Sequence, residues 1–191
     1  MKRITHLTLL VCLLAGVCIR GSSATKPSVA GEEVQRMAAL SGRSGGHLVI
    51  GQRAEPKTLN PVTATDAISR EVSGRLMADL IEINRVTQQT EPALAKSWKV
   101  STDGRTFTLQ LRKGIRFSDG HPFDADDVVF SFKVYMDEEV GSPQRDLLII
   151  DGNPITVTKL DQYTVRFTLA RPYAAAERLF DGLAMLPKHL L

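Results

Sequence analysis

Two segments of the chain alternate strictly between apolar and polar residues. Both segments, Thr106–Arg112 and Tyr163–Leu169, place an apolar side chain at every second position. This period of two is typical of a β-strand with one face against a core. The residues predicted to be buried are Phe107, Leu109, Leu111, Tyr163, Val165, Phe167 and Leu169. We also expect Ile155–Leu160 to pair with the second strand across Asp161 and Gln162, forming a hairpin.

Other segments have the spacing of helices. Behind Asp66 an apolar residue recurs at every fourth position, which predicts an amphipathic helix with Asp66 as its N-cap. The residues of this apolar face are Ile68, Val72, Leu76 and Leu80. A second helix is predicted over Asp124–Met136, where first-turn carboxylates suit the positive end of the helix dipole. A last helix is expected after Pro172, with Leu179, Phe180 and Leu183 on it.

Folded structure is expected to begin near His47. The apolar run Leu48–Ile50 follows a glycine pair and predicts a short buried strand. Because predicted strands and helices mix without regular alternation, the fold class is α/β, of the mixed α+β kind.

The first 24 residues have the pattern of a secretory signal peptide. Lys2 and Arg3 precede an apolar run that ends at Arg20, and small residues follow. The run is shorter than the roughly 20 apolar residues of a transmembrane helix. We therefore expect cleavage after Ala24, in preference to an uncleaved anchor, and a periplasmic product without direct membrane insertion. Residues 25–46 lack an apolar period and end in glycine and serine, which predicts a flexible linker.

Signal cleavage changes the composition of the chain. The sequence has 24 Lys and Arg against 21 Asp and Glu, and three of the basic residues lie in the predicted signal. The mature chain is then near neutral, so its charge gives no reason to expect nucleic acid as a partner. Cys12 and Cys18 also lie in the signal, which leaves no thiol or disulfide. Lipidation of Cys18 is the alternative, although Val17 differs from the small residue that precedes the cysteine of bacterial lipoproteins.

Few residues suggest catalysis or metal binding. Asp124, Asp126 and Asp127 cluster at a predicted helix start, where capping already explains them. The histidines of the folded part lack the i, i+4 spacing of helical metal ligands; they are His47, His121 and His189. Neither a G-x-S-x-G nucleophile turn nor a phosphate-binding loop is present. The sequence therefore predicts no catalytic residue, no metal, no cofactor and no enzyme.

The segment from Pro92 to Ser131 contains several distinctive pairs of residues. They are Ser97-Trp98, Asp103-Gly104, Asp119-Gly120 and Asp126-Asp127, and further landmarks are Gly46–Gly51, Glu55–Pro61, Arg171-Pro172-Tyr173 and Leu186–His189. In this order they resemble the family 5 extracellular solute-binding proteins, which serve importers of oligopeptides, dipeptides, nickel chelates and some sugars. By residue type, Trp98 fills a core and the Asp-Gly pairs form turns, so the segment can identify the family without having to be a binding site.

This resemblance implies a periplasmic-binding-protein type II-like fold. Members of the family close two lobes on a ligand, and their first lobe contains an extra domain and is completed by the last segment of the chain. We therefore expect residues 47–191 to be an N-terminal part of that fold: an incomplete first lobe plus the extra N-terminal domain, with the second lobe missing.

The resemblance also implies a function. The expected function is the periplasmic substrate-binding component of an ABC-type importer, for peptides or another small solute, with inner-membrane permease subunits as partners. A non-transport interaction module, or an inactive remnant of such a receptor, is the alternative. An exported hydrolase is disfavoured, because no nucleophile or metal motif is present.

The same resemblance implies four ligand-binding residues. The loop Ala64–Ala67 matches one that contacts an extended peptide mainly through its backbone in peptide-binding members. Thr65, Asp66 and Ala67 are therefore candidate contacts, with helix capping by Thr65 or Asp66 as an open alternative. Ser142-Pro143 resembles a pair that a ligand-facing aromatic residue follows in some members. Here Gln144 follows, which predicts ligand contact without aromatic stacking.

Overall fold

The computed structural model describes residues 45–191. The predicted signal peptide and residues 25–44 of the predicted linker lie outside the described residues. Within them the helices are α1 (Ala67–Leu76) and α2 (Ala125–Met136), with single 3-10 turns at Arg145–Leu148 and Ala176–Phe180. The strands are β1 (Ile81–Ile83), β2 (Thr90–Pro92), β3 (Ala95–Val100), β4 (Thr106–Leu111), β5 (Ile149–Ile150), β6 (Asn153–Pro154), β7 (Thr156–Asp161) and β8 (Thr164–Thr168). None of the helices in residues 45–191 combines the length and apolarity needed to cross a membrane.

A four-stranded antiparallel sheet forms the centre of the described fold, in the order β3-β4-β8-β7. In the pairing of β4 with β8, Phe107 lies opposite Phe167 and Leu109 lies opposite Val165. All four side chains are buried, at 0 to 4% exposure. The two strands predicted from their period of two are thus confirmed as the central strands. The predicted hairpin is confirmed as well, since β7 pairs antiparallel with β8.

Helix α2 packs on this sheet and begins where the sequence predicts. Asp124 is the N-cap, and its Oδ1 accepts the Asp126 N–H at 2.8 Å. The Asp127 Oδ2 in turn accepts the Asp124 N–H at 3.0 Å, which completes a capping box. Phe132 of the helix meets Phe167 of β8 edge-on, with ring centroids 4.8 Å apart. The carboxylates at this helix start therefore have structural partners.

Helix α1 forms as predicted but buries a different face. Asp66 caps it, since its Oδ1 accepts the Ser69 N–H at 2.9 Å. The buried residues of the helix are Ser69 and Ser73, whereas Leu76 is 63% exposed. The helix ends at Leu76, so Leu80 lies beyond it, in the segment before β1. The predicted apolar face over Ile68–Leu80 is therefore wrong.

The reason lies in the chain that covers α1. The Ser69 hydroxyl accepts the N–H groups of Lys57 at 2.9 Å and of Thr58 at 3.2 Å. The Ser73 hydroxyl donates to the Leu59 carbonyl oxygen at 3.4 Å. Backbone groups that lose contact with water need such partners, and an apolar face could not supply them. A loop therefore covers the serine face of α1, where the periodicity predicted an apolar core.

Two further predictions are corrected. Leu48–Ile50 is not a buried strand, because Leu48 and Val49 are 81% and 80% exposed and no described strand pairs with them. An apolar run becomes a buried strand only when another strand pairs with it and a core covers it. The last helix is only the 3-10 turn Ala176–Phe180. Gly182, at a φ of 81°, turns the chain away directly afterwards, so Leu183 lies outside the helix.

Trp98 is only partly buried, so the prediction that it fills a core is confirmed only in part. It packs against the core, and its Nε1 donates to the Glu177 Oε1 at 2.8 Å. Thr90 donates to the other oxygen of the same carboxylate at 2.7 Å. The predicted turns at Gly104 and Gly120 are confirmed by positive φ angles of 67° and 89°.

Candidate functional site

The loop that leads into α1 has a fixed shape. The Asn60 side-chain oxygen accepts the Val62 N–H at 2.9 Å, and the Asn60 carbonyl oxygen accepts the Ala64 N–H at 3.1 Å. Val62 and Ala64 point inward and are buried at 3% and 0% exposure. Thr63 and Thr65 point outward and are exposed. The loop therefore presents an ordered, alternating stretch of backbone to its surroundings.

The candidate residues of this loop occupy different environments. Thr65 and Ala67 are exposed, whereas Asp66 is half-buried and its carboxylate caps α1. Hydrogen bonds from Ser69, the backbone N–H first, hold the pKa of Asp66 below its ordinary value. Helix capping, the open alternative for Asp66, is therefore observed. Ligand contact by Thr65, Asp66 and Ala67 stays a prediction.

Gln144 lies next to this loop although it is about 80 residues away in sequence. Ser142, buried at 6% exposure, donates its hydroxyl hydrogen to the Val62 carbonyl oxygen at 2.8 Å. The Gln144 side-chain amide lies 3.5 Å from the Pro61 carbonyl oxygen. The structure thus brings Gln144 beside the loop, as a common ligand site would require.

A cavity of about 160 Å³ opens between α1 and Gln144. Arg70, Ser73, Gly74 and Met77 line it from α1 and its C-cap, at the i, i+3, i+4, i+7 spacing of one helix face. The rest of its lining consists of Pro61, Asp79, Gln144, Gly182 and Ala184. An adjoining cleft of about 580 Å³ shares four of these residues, which are Gly74, Met77, Asp79 and Gly182.

Asp79 lies between the two cavities and has an unusual electrostatic environment. Its Oδ2 accepts the Gly182 N–H at 2.9 Å. Removal from water raises the pKa of Asp79 to about 6, and the nearby carboxylates of Asp181 and Glu82 act in the same direction. The sequence pattern did not identify this residue as part of a site. The only signal available was a carboxylate directly before the apolar pair Leu80-Ile81.

A second cluster joins residues that are scattered in sequence. The rings of His121 and His189 stack with their centroids 3.8 Å apart, and the His189 Nε2 lies 2.6 Å from the Asp119 Oδ2. Their spacing gave no sign of this contact. In the part of the chain that the structure describes, no three His, Cys, Asp or Glu side chains form a group that could hold a metal ion.

Comparisons with known proteins agree on one family. The family model for bacterial extracellular solute-binding proteins, family 5 Middle, matches residues 89–191. Di/tripeptide-binding protein 1 of Pseudomonas aeruginosa is 31% identical over 182 residues, which cover 85% of this chain and 32% of that protein. The crystal structure of the ABC transporter substrate binding protein CtaP from Listeria monocytogenes matches with a TM-score of 0.70 and 35% identity, over 78% of this chain and 30% of that one.

A third likeness is to DppA of Helicobacter pylori, solved in complex with the peptide STSA. It matches with a TM-score of 0.60 and 32% identity, over 72% of this chain and 30% of that one. The chain thus spans about a third or less of the length of these relatives.

The predicted fold class is confirmed. The solved relatives are type II periplasmic-binding proteins, and this chain has part of that mixed α/β fold. The family match covers the whole four-stranded sheet together with α2. The chain belongs to the family 5 bacterial extracellular solute-binding proteins.

Proposed function

We propose that this chain is the N-terminal part of the solute receptor of an ABC-type importer, and that peptides are its solutes. In this proposal the signal peptide is removed and the product is periplasmic, with inner-membrane permease subunits as its partners. The receptor binds its solute and catalyses no reaction. Lipid attachment at Cys18 is the alternative form of export.

The observation behind this proposal is the junction between the exposed loop and Gln144. The Ser142–Val62 hydrogen bond of 2.8 Å fixes the two segments to each other. The carboxylate of Asp66 is engaged in capping, so its contact with solute would come from its backbone. Backbone contact suits a receptor that accepts peptides of varied side chains.

The cavity beside Gln144 is too small to enclose a peptide, and the adjoining cleft of about 580 Å³ is partly open to solvent. Sites that enclose a small molecule usually measure about 300–1,000 Å³, whereas the cavity beside Gln144 measures about 160 Å³. In our proposal the opposite wall of the site lies in a second lobe. We therefore expect that the chain by itself gives no calorimetric signal with oligopeptides at micromolar concentration.

A chimera tests the proposal directly. Residues 47–191 would replace the matching part of the Pseudomonas aeruginosa di/tripeptide-binding protein 1, with the unaltered Pseudomonas protein as the control. We expect the chimera to bind di- or tripeptides in calorimetry. A chimera that unfolds cooperatively, as the control does, and yet binds no peptide would contradict a peptide receptor function.

A further inference from the structure

Strand β7 is an open edge of the four-stranded sheet. Among the described residues its one neighbouring strand is β8, so the backbone groups on its other side have no strand to pair with. Such an edge is a template for the addition of another strand. We propose that two copies of this chain pair antiparallel along β7, with Thr158 on the two-fold axis between them. This inference is independent of the proposed function.

The hydrogen bonds of the neighbouring strand β8 show how the backbone groups of the sheet alternate. The Leu111 N–H donates to the Tyr163 carbonyl oxygen at 2.8 Å, and the Leu169 N–H donates to the Arg105 carbonyl oxygen at 2.9 Å. In an antiparallel sheet the backbone groups of successive residues point to opposite edges of their strand. The odd-numbered residues of β8 therefore bond β4, and its even-numbered residues bond β7.

The same alternation assigns the backbone groups of β7. Thr158 lies opposite Arg166, an even-numbered residue of β8, so the N–H and C=O groups of Thr158 face β8. Those of Val157 and Lys159 therefore face the open side, where within residues 45–191 they have no hydrogen-bond partner. These two residues can thus form four hydrogen bonds with an added strand.

The open stretch of this edge has a defined length. Before it, the Ile155 N–H already donates to the Leu148 carbonyl oxygen at 2.8 Å. At its other end the register with β8 shifts around Leu160, and a bulge of this kind ends regular pairing. An added strand can therefore pair with residues 156–160, a stretch that is symmetric about Thr158.

This symmetry selects a second copy of β7 as the added strand. With Thr158 opposite Thr158 of the other copy, Val157 of each copy lies opposite Lys159 of the other, and all four outward groups of each copy find partners. A register centred on Lys159 would instead place two like charges directly opposite each other, which is unfavourable. Two threonines at the centre form a favourable cross-strand pair.

The side chains of β7 also suit this pairing. Leu160 is 42% exposed, and in this register it lies opposite Thr156 of the other copy. β7 contains no proline, and the Asp126 carboxylate offsets the charge of Lys159 at 2.7 Å, so two usual defences of an edge strand are missing or weakened. A groove of about 500 Å³ between α2 and Val157 leaves room for side chains of the other copy.

The experiment measures the mass of the exported chain by sedimentation at micromolar to millimolar concentration. We expect the unaltered chain to form a dimer as its concentration rises. Thr158→Arg and Thr158→Glu should each raise the dissociation constant of the dimer by at least about tenfold, because like charges then face each other across the axis. An equimolar mixture of the two variants should dimerise again, since opposite charges then meet. Thr102→Arg is the matched control, because Thr102 is exposed and lies outside β7.

A second pair of variants separates the backbone from the side chain. Lys159→Pro removes an outward N–H group and should abolish the dimer. Lys159→Ala retains that N–H group and should dimerise as the unaltered chain does. Proline is tolerated on an edge strand where the N–H group faces solvent, so the fold of Lys159→Pro should persist.

Each outcome decides for or against the pairing. An unaltered chain that stays a monomer at millimolar concentration overturns it. A dimer that persists in both Thr158 variants, or that their mixture fails to restore, would place the interface elsewhere and also overturn it. A monomer whose β7 amide signals shift on addition of an oligopeptide would identify a peptide as the occupant of the edge instead. The chimera tests the proposed receptor function separately from all of these results.

Discussion

The hydroxyl of Ser131 accepts the backbone N–H of Leu186 at 2.8 Å, and both residues are buried. The same hydroxyl donates to the Asp127 carbonyl oxygen one helical turn earlier, at 2.7 Å. Two further contacts of this kind lie on the same face of α2. The pairs are the Asp127 carboxylate with the Lys188 N–H at 3.1 Å, and the Tyr135 hydroxyl with the Ala184 carbonyl oxygen at 3.3 Å.

These contacts fit together because the spacing of the polar residues along α2 matches the spacing of their partners in residues 184–188. Successive polar residues on α2 are four apart, which corresponds to about 6 Å along a helix. Their partners are two apart in a segment that runs antiparallel to the helix, and two residues of an extended chain span about 6.6 Å. The polar side chains at Asp127, Ser131 and Tyr135 therefore hold residues 184–188 in place at alternate positions.

Loss of the Ser131 hydroxyl should destabilise the chain. Ser131→Ala leaves the Leu186 N–H buried without a partner, which costs about 1–3 kcal/mol. Urea titration measures the change in the free energy of unfolding, and Ser118→Ala serves as the control, because Ser118 is exposed. Equal stability of the two variants would show that residues 184–188 do not depend on this contact.

Leu109 should be essential to the core. It is fully buried in β4, opposite Val165, so Leu109→Ala is expected to cost about 2–5 kcal/mol. Leu160, which is 42% exposed in β7, is the matched control. A cost below about 0.5 kcal/mol in the same titration would mean that the two faces of the sheet are wrongly assigned.

Asp79 should make the chain less stable as the pH rises. Its pKa is raised from 3.8 to about 6, so the folded chain retains a proton that the unfolded chain has already released. The contribution of Asp79 to the free energy of unfolding therefore falls between about pH 4 and pH 6, by on the order of 1–3 kcal/mol. The carboxylates of Asp181 and Glu82 contribute to this shift.

Asp79→Asn removes this loss of stability at higher pH, because the amide stays neutral. We expect the variant to be more stable than the unaltered chain at pH 8 and equally stable at pH 3.5, which lies below both pKa values (about 4 and 6). Urea titrations at both pH values measure this, with the exposed Asp146→Asn as the control. An unchanged dependence on pH in Asp79→Asn would contradict the assignment.

Export of the chain can be tested by intact mass. We predict that the exported product begins at Thr25 and has no lipid, because the small residues before Thr25 suit signal cleavage. The mass of the periplasmic form in an expressing bacterium decides this. A species that retains Cys18 with added acyl chains would show lipoprotein processing instead.

The sequence by itself determined the elements whose signals are local. The alternation in β4 and β8 identified their buried faces, because successive side chains of a strand point to opposite sides. Asp124 and Asp127 marked the start of α2, because a capping box lies within four consecutive residues. The order of the family landmarks predicted the family, and the match to residues 89–191 confirms it.

Only the tertiary structure decided what covers each face and which distant residues meet. Ser69 and Ser73 are buried in α1 because their hydroxyl groups form hydrogen bonds with the backbone of the loop at Lys57–Leu59. The periodicity of the helix does not predict these contacts. Leu48–Ile50 stays exposed because burial depends on a partner elsewhere in the chain. The contacts of Ser142 with Val62 and of Asp79 with Gly182 join residues about 80 to 100 positions apart. A local pattern cannot encode such contacts, because they form only when the packing of the sheet and helices brings the segments together.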